Sequence, residues 1–104
     1  MEHRLLIFGN GINREIEIGE ASKLSIGTDK HCHVWLKGKI FPRDFLINLV
    51  ISEESYSVTC DGDIELKREQ GNENIPLSEE LQFFYKGDSE GLFNLFLVIL
   101  FLLG

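Results

Sequence analysis

Positive charge is scarce in this sequence. Its 104 residues carry 10 Lys and Arg against 17 Asp and Glu, a formal net charge of -7. Nucleic acids are held largely through Lys and Arg on phosphates, so an acidic chain argues against that partner class. Cysteine is sparse too. Cys32 and Cys60 make neither a CxxC pair nor a disulfide framework, and the expectation is two small buried thiols in a reducing compartment. No GxxxxGK[ST] loop is present to cradle phosphates, which speaks against nucleotide hydrolysis. The start, MEHRLLIFGNG, lacks the apolar length and small-residue cleavage site of a signal peptide. No nucleophile stands beside an oriented base. His31-Cys32-His33 has no second Cys/His pair at finger-like spacing, and on a strand His31 and His33 would face away from Cys32. The paired acids, such as Glu53-Glu54 and Asp61/Asp63, read as solvated turns. These absences together predict a binding module, with no catalytic residue, no metal and no cofactor.

Helical periodicity with caps is missing as well, while period-two alternation recurs along the whole chain. Residues 4–8 read as a first strand, and Asn10-Gly11 after it is the strongest local hairpin signal, because both residues accept positive φ. Residues 12–18 alternate, with Arg14 expected near an edge. Residues 23–27 and 33–36 read as the third and fourth strands. Residues 45–51 (FLINLVI) are the most apolar internal run and should be central. Residues 55–60 alternate Tyr56, Val58 and Cys60 against Ser and Thr, and Asp61-Gly62 reads as a second hairpin turn. Further strands are expected at 64–67, at 75–77 on an edge because of Pro76, and at 81–85. The last run, 92–103, is almost wholly apolar. At twelve residues it falls short of the roughly 20 needed to span a bilayer as a helix. It reads as a central strand, with the start of a membrane segment or a face packed on the rest of a longer protein as the alternatives. The whole predicts one all-β domain over residues 1–104, a β-sandwich of about ten short, mostly antiparallel strands.

The most organised stretch is 23–36, KLSIGTDKHCHVWL: strand, glycine, polar loop, strand. Ile26-Gly27, then Cys32, Val34 and Leu36, resemble the signature segment of forkhead-associated (FHA) domains. Phe45 to Ile51, Tyr56-x-Val58 and Ile75-Pro76-Leu77 extend the resemblance over most of the chain. The resemblance implies an FHA-like sandwich with a binding surface in the loops at one end, at Gly27, Thr28, Lys39, Arg43, Asp61 and Gly62.

FHA domains bind phosphothreonine peptides through an Arg after the glycine, a Ser and His in the next loop, and an Asn near an Asn-Gly turn. Here Thr28 stands at the Arg position, Phe41-Pro42-Arg43-Asp44 replaces Ser-x-x-His, and Asp61-Gly62 replaces Asn-Gly. Carboxylates would repel phosphate, so the resemblance is to a degenerate FHA domain without phosphopeptide binding. It is similar to the amino-terminal FHA-like domain of the membrane-bound FtsK-type ATPase of Gram-positive type VII secretion systems. That resemblance implies a fragment of a larger protein, a cytosolic location on a membrane-bound parent, and an adaptor role toward other protein components of the secretion complex. The alternative is a phosphopeptide receptor with a rearranged anion site around Thr28, Lys39 and Arg43, drawing on a basic cluster that includes Lys37.

Overall fold

The computed structural model describes residues 2–18, 23–36, 41, 43–52, 55–68, 74–77, 79–87 and 94–102. Ten strands run through it: β1 (Glu2–Gly9), β2 (Ile12–Glu17), β3 (Lys23–Gly27), β4 (Val34–Trp35), β5 (Phe45–Ile51), β6 (Ser55–Gly62), β7 (Ile64–Lys67), β8 (Ile75–Pro76), β9 (Glu80–Tyr85) and β10 (Leu95–Leu102). They form two five-stranded sheets, in the orders β2-β1-β10-β9-β7 and β4-β3-β5-β6-β8. The architecture is a β-sandwich. Every pairing is antiparallel except β3 with β4, which is parallel.

The alternation in the sequence is what closes the sandwich. Leu5, Ile7, Ile26, Ile47, Leu49, Ile64, Leu81, Phe83, Leu95 and Leu97 project from both sheets into one buried cluster. Each of these residues is followed by a neighbour on the opposite face, as a pleated strand requires. Phe45 and Tyr85 meet edge to face across the sandwich, with ring centroids 6.3 Å apart. The Asn10-Gly11 turn forms as expected: both residues have positive φ, 46° and 83°, and Gly9 pairs with Ile12. β2 is an edge strand and Arg14 on it is exposed, while β5 is central. β8, carrying Pro76, is the edge beyond β6.

The apolar carboxy-terminal run becomes β10, inserted between β1 and β9 at the middle of its sheet. Among the described residues no helix is long and apolar enough to cross a membrane.

Three expectations need correction. Asp61-Gly62 is not a hairpin turn. β6 and β7 lie in different sheets, so the chain turns a corner from one sheet to the other there. Gly62 has φ 88°, and a Cβ on it would lie 2.5 Å from the Asp44 carbonyl oxygen. Positive φ is equally at home in a hairpin and at a corner, and here the chain leaves β6 with the Asp63 N–H bonded to the Asp44 carbonyl at 3.2 Å. The cysteines are half-buried rather than buried, and both are free. Finally, 31–33 is a loop, so the fourth strand shrinks to Val34–Trp35.

Candidate functional site

Four strand positions line up across the outer face of the second sheet. Trp35 on β4 is beside Gly27 on β3, Gly27 is opposite Leu46 on β5, and Leu46 is opposite Asp61 on β6. Partners in register share a face, so this row points away from the core. Leu46 follows the buried Phe45, and Trp35 sits between buried Val34 and Leu36. That spacing turns the indole outward, where it is 40% exposed.

Gly27 is buried and has no room for a side chain. A Cβ there would lie 2.4 Å from the Phe45 carbonyl oxygen and 3.2 Å from Cys32 Sγ. The absence of that carbon lets the 28–33 loop fold back over the sheet. The Asp29 carboxylate accepts the His31 N–H at 2.8 Å, and the Asp29 carbonyl accepts the Cys32 N–H at 3.1 Å, a side-chain turn around a backbone turn. His33 is then tied to β3. Its N–H donates to Ser25 Oγ at 3.0 Å, and the Ser25 N–H donates to His33 Nδ1 at 3.0 Å. Nδ1 is therefore an acceptor and the ring proton sits on Nε2. This doubling back is how six residues suffice between parallel strands, because β4 starts only one residue below the top of β3.

The result is an open cleft of about 780 Å³. Cys32, Phe45, Leu46 and Trp35 supply its apolar surface; Ser25, Thr28, His31 and Gly62 adjoin them, and Asp29, Lys30, Asp44 and Asp61 supply its charge. Thr28 braces one wall. Its N–H donates to the Phe45 carbonyl at 3.2 Å, its Oγ1 accepts the Phe45 N–H at 3.1 Å, and the same hydroxyl donates to Asp44 Oδ1 at 3.2 Å. Trp35 Nε1 donates to the Thr28 carbonyl at 3.1 Å, which anchors the indole by its edge. Hydrogen bonds from His31, first from its backbone and then from its ring, hold the Asp29 carboxyl below the usual carboxylate range. Burial, with the Asp61 charge adding to it, pushes the Cys60 thiol up to about 11.

Of the residues expected at the binding end, Thr28, Asp61 and Gly62 come together in this cleft, with Gly27 beneath its floor. Arg43 is not among its walls. Its Nη1 points to the Lys86 carbonyl at 3.4 Å, while its own carbonyl accepts the Tyr85 hydroxyl at 3.2 Å. Lys37 and Lys39 lie outside the described residues. Sequence reasoning missed Trp35, Leu46 and Asp44; the outward parity of Trp35 between Val34 and Leu36 was a usable signal for the first. The His31-Cys32-His33 triplet is split between an Asp29 partner, the floor over Gly27 and a Ser25 partner. Among the described residues no group of three or more His, Cys, Asp or Glu is arranged to hold a metal ion. Comparison with protein-family models, with curated proteins and with solved structures finds no match.

Proposed function

We propose that this chain is a non-catalytic protein-interaction module, a degenerate FHA-like domain that acts as a cytosolic adaptor in a Gram-positive type VII secretion ATPase. The observation that carries the reading is the charge of the cleft. Among the described residues, Asp29, Asp44 and Asp61 line it against one ammonium, Lys30. An FHA-type phosphate site needs the opposite balance. The built cleft, with an anchored tryptophan and a braced threonine, favours recognition of another protein over catalysis. The FHA-like part of the reading rests on the resemblance of residues 23–36 and of the later strands, and the secretion assignment on overall similarity: a short, acidic domain without the phosphate-binding residues.

Two measurements test this. Titration of the domain with phosphothreonine peptides, followed in proton–nitrogen NMR spectra, should leave the Gly27, Thr28, Arg43, Asp61 and Gly62 amides unmoved at millimolar peptide. Shifts confined to those amides would replace the adaptor reading with a rearranged phosphopeptide site. Cross-linking of the tagged domain in cells that express a type VII system should recover secretion components, and recovery of none removes the assignment.

A further inference from the structure

We infer that the cleft over Gly27 receives a cationic side chain, arginine or lysine, carried on a segment of a protein partner. This deepens the adaptor reading and rests on it. The register supplies the geometry. Trp35 and Asp61 stand at the two ends of one row of strand positions, and Leu46 lies between them. Between those ends the row has no side chain at Gly27, and Cys32 Sγ covers that place. An extended stem of methylene groups packs on such a floor, while its charged tip reaches a carboxylate beyond it.

The electrostatics select the sign of the ligand. Among the described residues, Asp29, Asp44 and Asp61 face the cleft against Lys30, and His31 is hydrogen-bonded to Asp29. The Asp29 carboxyl is held ionised by the His31 hydrogen bonds. Asp44 receives one hydrogen bond on Oδ1 from Thr28, and a carboxylate offers further acceptor positions. The net charge of -7 over the chain adds a long-range field of the same sign, which speeds encounter with a basic partner and turns acidic ones away. At about 780 Å³ the cleft is larger than one side chain requires and lies within the usual range for ligand pockets. It therefore has room for the residues on either side of the cation.

The test uses two capped tripeptides, acetyl-Arg-Leu-Arg-amide and acetyl-Glu-Leu-Glu-amide, titrated into the full chain at low salt and followed by NMR. The expected result is saturable shifts from the arginine peptide at the Thr28, Leu46, Asp61 and Gly62 amides and the Trp35 indole N–H, with none from the glutamate peptide. Asp61→Asn removes an exposed carboxylate that, among the described residues, makes no hydrogen bond or ion pair. It should weaken binding about two- to fivefold with an unchanged spectrum elsewhere, the range of one exposed ion pair. Asp44→Asn tests a second carboxylate, and Thr28 can still bond its amide oxygen. The inference is overturned if arginine peptide at about 10 mM, one decade above a millimolar Kd, moves no cleft resonance. It is equally overturned if both peptides act alike, or if Asp61→Asn and Asp44→Asn bind as the parent does. Failure here with secretion components still recovered by cross-linking leaves the adaptor reading standing and moves its docking surface elsewhere. Failure of the cross-linking with arginine binding intact removes the secretion assignment and keeps the cationic cleft.

Discussion

Gly62 and Gly11 have nearly the same backbone angle, φ 88° and 83°, in very different surroundings. Nothing lies within 4 Å of a Cβ at Gly11, whereas at Gly62 it would meet the Asp44 carbonyl oxygen at 2.5 Å and Phe45 Cα at 2.9 Å. Gly11→Ala should therefore cost only the left-handed backbone penalty, about 1 kcal/mol. Gly62→Ala adds a backbone collision at the sheet corner and should cost about 3 kcal/mol in urea unfolding. Equal losses would show that the corner relaxes freely. Both glycines were legible as turn residues, since Asn-Gly and Asp-Gly are local signals. That one closes a hairpin and the other a corner was not, because the difference lies in Asp44, eighteen positions before Gly62 in the chain. The same limit hid the cleft's acids. Asp61 was legible as a charge in a turn, but its place opposite Leu46 exists only once β5 and β6 pair.

β10 is legible in the sequence as a strand apolar on both faces, and the register shows what its outer face meets. Leu95, Leu97 and Ile99 are buried, and Phe96, Val98 and Leu100 stand on the other side, half-buried. Leu6 and Phe8 of β1 share that outer face through the register Leu6↔Val98 and Phe8↔Phe96. The two phenylalanine rings stack with centroids 5.1 Å apart and planes 10° from parallel. Such a cross-strand aromatic pair contributes about 0.5–1.5 kcal/mol beyond its buried area. A double-mutant cycle of Phe8→Ala and Phe96→Ala should return a coupling of about 1 kcal/mol by urea unfolding. Additive losses would mean that each ring is held by its own strand alone. The parallel pairing of β3 and β4 is the element-scale feature that alternation could not reveal. Two residues, Val34 and Trp35, are too few to carry a direction in their pattern.

Alkaline pH probes the molecule as a whole, since its buried acids belong to both sheets. Tyr56 on β6 donates its hydroxyl to the Glu79 carbonyl at 3.0 Å, and Tyr85 on β9 donates to Arg43 at 3.2 Å. Burial raises both phenols above their usual range and raises the Cys60 thiol to about 11. Each group is neutral when protonated, and folding favours that form. The unfolded chain loses these protons first, so the folded state holds more of them once pH exceeds the unfolded values. Stability from these groups is complete below about pH 9 and falls as pH rises through the range set by Cys60 and then by the two tyrosines. Thermal melts followed by circular dichroism should show the midpoint dropping steadily between about pH 9 and 11. Tyr56→Phe should lower stability at neutral pH by about 1 kcal/mol, the worth of one hydrogen bond, and flatten that alkaline fall. A fall of unchanged steepness would assign it to general charge repulsion instead.

Alternation and composition are enough for the all-β class, the position of almost every strand, the inward face of the alternating strands and the acidic sign of the chain. Those properties are local: a strand's two faces are decided by alternate residues, and charge is a sum. The folded arrangement alone settles how the strands divide between two sheets and which loops share an end. It also decided that Trp35, Leu46 and Asp61 enclose a cleft with Gly27 beneath it. Pairing joins residues far apart in the chain, and its energy depends on register and packing that no single stretch encodes.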